Sequence, residues 1–296
     1  MNKFNSFFCI LFLVLIPEIF SNKLKFNFNI YKNMLKYSIP LFIAGLAGTI
    51  NETIDRILIV RLIPDINIAR YQLGIYGANI KIAVLMTLFT QAFRFAFEPY
   101  FFNHHANKGS NQVYGDIMKY FVIFGLFIFM FVTQYIDLFK HFINKSYHEG
   151  LFIVPFFLFS YLFYGILFNL SVWYKLQDKT FYGTIITLIG AFVSLVLNYI
   201  FIPKYGYIAC TFIHLLSYII MVIISYILSQ KYLPVNYHLK QILFYFILAI
   251  GLFLIGNLIK FDSKILTIFI HTLILFTFVT IIAVRENIIK SLFHGN

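Results

Sequence analysis

Windows of predominantly apolar residues alternate along the chain with short polar breaks. A helix needs about 20 such residues to cross the hydrocarbon of a bilayer. Windows of that size fall at approximately 38–62, 73–97, 117–138, 151–173, 181–202, 207–229 and 241–283. The last is too long for one crossing, and Lys260, Asp262 and Lys264 divide it into 241–259 and 265–283. A shorter apolar run, Phe7 to Phe20, precedes them and is interrupted by Pro17-Glu18. Lys3 ahead of that run would suit a signal peptide, but no small-residue cleavage site follows. The run reads better as the tail of a transmembrane helix whose beginning lies outside this sequence. The connections between windows are short, the longest expected at 98–116, and leave no room for a soluble domain.

Composition supports the same class. Of 296 residues, 61% are hydrophobic and only 11% charged, with a mean hydropathy of +0.84. A soluble domain carries about 25% charged residues, so the chain reads as a polytopic, all-α membrane helix bundle. The excess of 23 Lys and Arg over 11 acids would suggest nucleic acid in a soluble protein. Here the basic residues sit between apolar windows, where they set topology and face anionic lipid. Placing 21–36 in the cytoplasm puts thirteen basic residues in inner segments and flanks against eight outside, with Arg56 and Lys81 inside spans. That orientation leaves the C terminus cytoplasmic. Cys9 and Cys210, both in apolar stretches, exclude a disulfide framework or a cysteine-based zinc site.

Charges within the hydrocarbon cost several kcal/mol unless paired or facing water, which makes them candidates for function. Two windows hold nearly all of them. In the first, Thr49, Glu52, Asp55 and Arg56 share a face about 120° wide. In the second, Thr87, Gln91, Arg94 and Glu98 form a stripe, with Lys81 off to one side. A short turn around Pro64-Asp65 joins the two, so they are expected as antiparallel neighbours. Two readings follow. Glu52, Asp55 and Arg56 neutralise one another while Arg94 and Glu98 form an i,i+4 pair, or the stripes line one aqueous cavity for a hydrophilic or anionic cargo. The coherence of two adjacent stripes, beside spans nearly free of charge, favours the cavity. Its candidate lining is Glu52, Asp55, Arg56, Lys81, Gln91, Arg94 and Glu98.

Other features suggest no chemistry. His104-His105 lacks acidic or cysteine partners at ligand spacing, so no metal is expected. His214 and His271 stand alone in apolar spans and read as packed, hydrogen-bonded residues. Tyr147-His148-Glu149 is expected in an outer loop. The many Phe and Tyr residues are expected mainly toward lipid and its interfaces. With no phosphate-binding glycine loop, nucleophile elbow or HExxH, the sequence does not read as an enzyme and no cofactor is expected.

Four stretches, in order, carry a resemblance. They are Tyr37-Ser-Ile-Pro40-Leu-Phe-Ile-Ala-Gly-Leu with Asp55-Arg56, then Gly74-Ile-Tyr76-Gly-Ala-Asn with Gln91-Ala-Phe-Arg94-Phe-Ala-Phe-Glu98-Pro99-Tyr-Phe-Phe. Trp173-Tyr-Lys175-Leu-Gln-Asp-Lys179-Thr180 and Leu197-Asn198-Tyr-Ile-Phe-Ile-Pro203-Lys-Tyr-Gly206-Tyr follow. Over about residues 22–245 the chain resembles polysaccharide biosynthesis flippases. These are the O-antigen and lipid-linked oligosaccharide exporters of the multidrug/oligosaccharidyl-lipid/polysaccharide exporter superfamily. Pro99 is expected to terminate or bend a helix, and Pro203 to Gly206 to form a tight reversal.

The resemblance implies a division into three parts. Residues 1–36 are the end of a preceding transmembrane helix and a basic cytoplasmic linker. Residues 37–229 are a six-helix C-terminal transporter lobe, and residues 230–296 are two additional helices and a cytoplasmic tail. Such flippases have two lobes, so the resemblance implies a fragment lacking the first lobe, or a half-protein working with a partner subunit. It further implies a bacterial inner-membrane protein that flips an undecaprenyl-pyrophosphate glycan for lipopolysaccharide or other surface polysaccharide, with membrane lipid and the lipid-linked oligosaccharide as its partners. Arg56, Lys81 and Arg94 would attract the pyrophosphate, and Glu52, Asp55 and Glu98 would hold those cations or couple to an ion. A drug or cation antiporter of the same superfamily would share this architecture. An integral-membrane polysaccharide polymerase fits less well, because such enzymes carry a large outer loop.

Overall fold

The computed structural model describes residues 27–104, 110–259 and 263–286, which are helical almost throughout and contain no strand. Eight long helices follow one another: α1 (Phe28–Leu62), α2 (Ile66–His104), α3 (Ser110–Gln134), α4 (Val154–Leu170), α5 (Thr180–Tyr205), α6 (Tyr207–Tyr232), α7 (Leu239–Leu258) and α8 (Lys264–Arg285). They correspond one for one to the eight apolar windows from residue 38 onward. Short helical pieces at Ile136–Phe139, Lys140–Phe142 and Lys145–Ile153 join α3 to α4, and Val172–Leu176 follows α4. Segments containing α2 to α8 are long and apolar enough to cross a membrane. The 35 residues of α1 give it ample length, but Asn51, Glu52, Asp55 and Arg56 interrupt its apolar stretch. The run at 7–20, Lys23 and Lys25 of the basic linker, His105, the Lys260-Phe-Asp262 break and the tail beyond Glu286 lie outside the described residues.

The chain divides into two compact units, residues 1–39 and 40–296. In the first, the Asn27 side chain caps α1 by accepting from the Asn29 and Ile30 amides at 3.0 and 3.2 Å. Lys32 and Lys36, one turn apart, are exposed.

In the second unit α4 is the central element, packed against α2, α3 and α6, while α5 packs on α6 and the α7–α8 pair packs on α3. The main core gathers Ile75, Tyr76 and Met86 of α2, Phe121, Leu126 and Phe129 of α3 and Phe157 and Leu162 of α4. Among helices surrounded by lipid, close packing replaces the hydrophobic driving force, and small residues permit it. Gly165 of α4 lies so near Phe121 and Thr90 that a Cβ would collide with Phe121. Gly190 of α5 admits Met221 of α6 in the same way. At the periphery, 17% of the apolar window is buried in each of α7 and α8, against 50% in the span containing α4.

Pro203 lies in the last turn of α5, and the tight reversal falls at Gly206, within the expected 203–206. One expectation about proline is corrected: Pro99 does not terminate α2, which runs on to His104. The expected loop at 98–116 is correspondingly short, with α3 starting at Ser110. Transmembrane helices tolerate proline where neighbouring groups satisfy the backbone it frees. The α5–α6 reversal depends instead on Gly206, at φ +57° and ψ −139°, a conformation closed to residues with a Cβ. A Cβ there would also strike Gln72 Oε1, which accepts from the Tyr207 amide at 3.1 Å. The α1–α2 turn falls where expected, with the Asp65 carboxylate accepting from the Asn67 and Ile68 amides at 2.7 and 3.3 Å. Tyr147-His148-Glu149 belongs to the helical Lys145–Ile153 piece rather than a loose loop. The Asn79 side chain donates to the Tyr147 carbonyl at 2.9 Å and fixes that piece to α2.

A latch closes the far end of α8. Lys119 Nζ of α3 donates to Glu286 at 2.7 Å, and the Tyr245 hydroxyl of α7 donates to the other carboxylate oxygen. Burial alone would raise the Glu286 carboxyl, but these two hydrogen bonds and the Lys119 charge outweigh it and hold it below the usual carboxylate range.

Two outcomes are expected. Gly206→Ala lowers unfolding stability by roughly 1–3 kcal/mol; an SDS-titration midpoint equal to that of the unaltered chain would refute the strained reversal. Because the folded-state pKa of Glu286 is depressed, the latch contributes stability above the free carboxylate pKa and loses it as pH falls through the lower folded value. Hydrogen exchange in 264–286 should therefore accelerate in acid, and Glu286→Gln should show that faster exchange already at neutral pH.

Candidate functional site

The residues of α1 buried in the bundle are Ala47, Asn51, Asp55 and Ile59. A spacing of four makes them one ridge of the helix, and two of the four are polar. Thr49, Thr53 and Arg56 are exposed beside this ridge.

Asp55 is fully buried, and three helices supply its partners. Tyr76 of α2 donates its hydroxyl at 2.6 Å, and Asn198 of α5 donates its amide at 2.7 Å. His214 of α6 brings Nδ1 to 3.3 Å. The same imidazole presents Nε2 to Glu52 at 3.9 Å, so it stands between two carboxylates. The Tyr218 hydroxyl donates to Glu52, and the rings of Phe157, Tyr161 and Tyr218 surround His214. One turn along the ridge, the Ser217 hydroxyl lies 3.1 Å from Asn51 Oδ1 and 3.0 Å from the Gly190 carbonyl. Near the other end of α1, Thr184 of α5 donates to the Pro40 carbonyl at 2.5 Å. A carboxylate in this environment persists only if each oxygen is met by a donor, and these partners meet that requirement. An imidazole between two acids can also carry a proton between them.

A second group lies along α2. Arg94 Nε is 3.5 Å from Glu98 Oε2, the i,i+4 pair expected from spacing. Lys175 of the Val172–Leu176 helix donates to Glu98 Oε1 at 2.6 Å. The Arg94 guanidinium and the Lys175 ammonium both lie over the Phe168 ring, at 4.8 and 4.4 Å from its centre, an arrangement that favours cations. Tyr164 of α4 lies beside Gln91 and Arg94, and its ring lies 5.5 Å from that of Tyr218. The Tyr164–Tyr218 pair thus connects the two groups, making a polar line from Asp55 to Lys175 through α6 and α4.

Five of the seven sequence candidates, Glu52, Asp55, Gln91, Arg94 and Glu98, fall on this line. Arg56 and Lys81 do not. Both are exposed and form no ion pair among the described residues, so Arg56 does not neutralise Asp55, whose partners are His214 and two neutral donors. The stripes of α1 and α2 also do not face each other along their length: α1 meets α2 where Asp55 reaches Tyr76, and Tyr164 and Tyr218 come between Glu52 and Arg94. Sequence reasoning missed Tyr76, Tyr164, Phe168, Lys175, Asn198, His214 and Tyr218. A signal existed for some of them. Thr211, His214, Ser217, Ser225 and Ser229 recur at helical spacing on α6, and Thr180, Thr184, Ser194 and Asn198 do so on α5. All nine are buried. His271 has the packed role expected of it, with Nδ1 2.6 Å from the Gln134 carbonyl.

Two solved structures share this fold. One is described as "Lipid II flippase MurJ, inward closed conformation", 20% identical, with a TM-score of 0.54 over 94% of this chain and 60% of that one. The other is a multidrug resistance MATE family transporter of the MOP superfamily in an outward-facing conformation, 17% identical, with a TM-score of 0.51 over 77% of this chain and 53% of that one. At these identities the likeness is one of fold, and the chain spans about 60% of the flippase it matches. No protein-family model matches the sequence, and no curated protein does.

Asp55→Ala removes the acceptor that Tyr76, Asn198 and His214 share and should cost about 3–5 kcal/mol of unfolding stability. Asp55→Asn, which keeps an acceptor oxygen, should cost less. Equal SDS-unfolding midpoints for Asp55→Ala and the unaltered chain would show that α1 is held by something else.

Proposed function

We propose that the chain is the C-terminal transporter lobe, with two added helices, of a bacterial inner-membrane exporter that flips an undecaprenyl-pyrophosphate-linked oligosaccharide for surface polysaccharide or lipopolysaccharide assembly. The observation that carries this reading is the grouping of Arg94 and Lys175 over Phe168. In the orientation expected from the basic residues, these two cations and the ring lie toward the cytoplasm, where a pyrophosphate headgroup would enter from the inner leaflet. The shared fold with a structure described as a lipid II flippase supports it. In this reading the chain is a transporter and not an enzyme, and it works against a first lobe or a partner subunit, because alternating access requires one lobe to rock against another. The remaining candidates take lesser parts: Arg56 and Lys81 attract the anionic headgroup from the exposed faces of α1 and α2, and Gln91 positions Arg94 through Tyr164.

A second reading rests on the two acids of α1, Asp55 fully buried and Glu52 half-buried. Asp55 and Glu52, with His214 between them, suit coupling to a cation or proton, and the shared fold with a multidrug transporter is equally compatible with a drug or cation antiporter. Export of a cationic dye that stops with Asp55→Asn, while surface glycan is unchanged, would favour it.

The principal test is Arg94→Ala in the native gene. Surface polysaccharide should disappear while the amount of the protein in the membrane is unchanged. Undiminished surface glycan would reduce Arg94 to the ion-pair partner of Glu98 and remove the main support for an anionic cargo.

A further inference from the structure

Glu98 binds the two cations in an unusual way. One carboxylate oxygen faces Arg94 and the other takes the hydrogen bond from Lys175, so a single carboxylate bridges both. The site thus holds two positive charges and one negative. Arg94 Nε is buried without a hydrogen-bond partner, and the only approach to Glu98 is through its ion-pair distance. Beside it, Glu98, Phe101, Phe168, Val172, Lys175 and Leu176 line a cavity of about 10 Å³, room for no more than one water. The Arg94 and Glu98 side chains are 40% and 30% exposed, so the group is open on one side. A phosphate that engages both cations where Glu98 now does takes the place of the carboxylate. Phosphate is well suited to do so, because it offers several oxygens at similar reach and enough charge to compensate both cations.

We propose that Arg94 and Lys175, backed by the Phe168 ring, form a binding site for a phosphate or pyrophosphate group, and that Glu98 is its built-in counter-ion, displaced when that group enters. Lys175 then becomes a binding residue that charge patterning along α2 did not single out. Glu98 sets affinity by competition: it keeps the two cations paired while the site is empty, and it weakens binding enough for the anion to leave. The proposal rests on the reading of the cargo as an anionic lipid-linked group, and its test separates the two.

The whole chain in detergent micelles is titrated at constant ionic strength with inorganic pyrophosphate and, separately, with farnesyl pyrophosphate. The only tryptophan in the sequence, Trp173, lies two residues from Lys175 and provides the fluorescence signal. Glu98→Gln should bind inorganic pyrophosphate about tenfold more tightly than the unaltered chain, since a half-buried like charge at the site is removed. Adding Lys175→Gln to that variant should abolish the gain. Glu98→Asp, one methylene too short to bridge both cations, should show a smaller gain and covers the case in which Glu98→Gln does not fold. The site is refuted if neither Glu98 variant tightens binding, or if the double variant binds as well as Glu98→Gln. A gain for inorganic pyrophosphate without one for farnesyl pyrophosphate upholds the anion site and counts against a lipid-linked cargo. A gain for both upholds the two together.

Discussion

Much of this structure depends on the burial of one carboxylate. Water cannot solvate Asp55 inside the bundle, so its oxygens must be met by protein donors. Those donors come from α2, α5 and α6, which the chain places far apart in sequence. Meeting the requirement joins four helices at one point and fixes the depth and rotation of α1. The apolar core around α3 and α4 is held differently, by close packing of aromatic rings against small residues such as Gly165. The second unit therefore combines a well-packed apolar centre with a helix attached to it largely through polar groups.

The architecture was legible because hydropathy in a membrane protein leaves few alternatives. Each apolar window from residue 38 onward became one helix, and the Asp65 turn lies where the polar break placed it. Pro99 misled, since proline ends a helix in water more readily than one supported by neighbours in lipid. The site was legible in part. Charge on α1 and α2 identified Glu52, Asp55, Arg94 and Glu98, because charge in an apolar window stands out. The residues that connect them did not stand out: Tyr164, Tyr218 and Phe168 look like ordinary span aromatics, and Lys175 like a topology signal. Periodicity along one helix says which residues share a face but not which neighbouring helix that face meets. That information lies in the tertiary packing, which put His214 opposite Asp55 and left Arg56 aside.

The polar line has a further property. Its charged groups lie at the two ends with the Tyr218 and Tyr164 phenols between them, and each contact requires a particular side-chain placement on α1, α6, α4 or α2. A change at one end, such as protonation near Asp55 or loss of the Glu98 bridge, alters the hydrogen-bonding demand on Tyr218 or Tyr164 and so on the helix beyond it. The Arg94–Glu98–Lys175 group and the two acids of α1 are in this way joined through the side chains of two tyrosines.

The ridge by which α1 joins the bundle also bears on how such a sequence can change over generations. The ridge at every fourth position, from Ala47 through Asn51 and Asp55 to Ile59, is the most constrained by the neighbours it touches, with Glu52 beside it held by Tyr218. Along the rest of the helix Ile39, Phe42, Ile43, Leu46, Ile50 and Ile57 are exposed, and lipid demands of them only that they be apolar. Drift there is nearly free, so relatives separated for long would retain few identical residues in α1 while keeping its grip intact. Kinship in this part of the molecule would be recorded in a spacing of four rather than in an overall percentage.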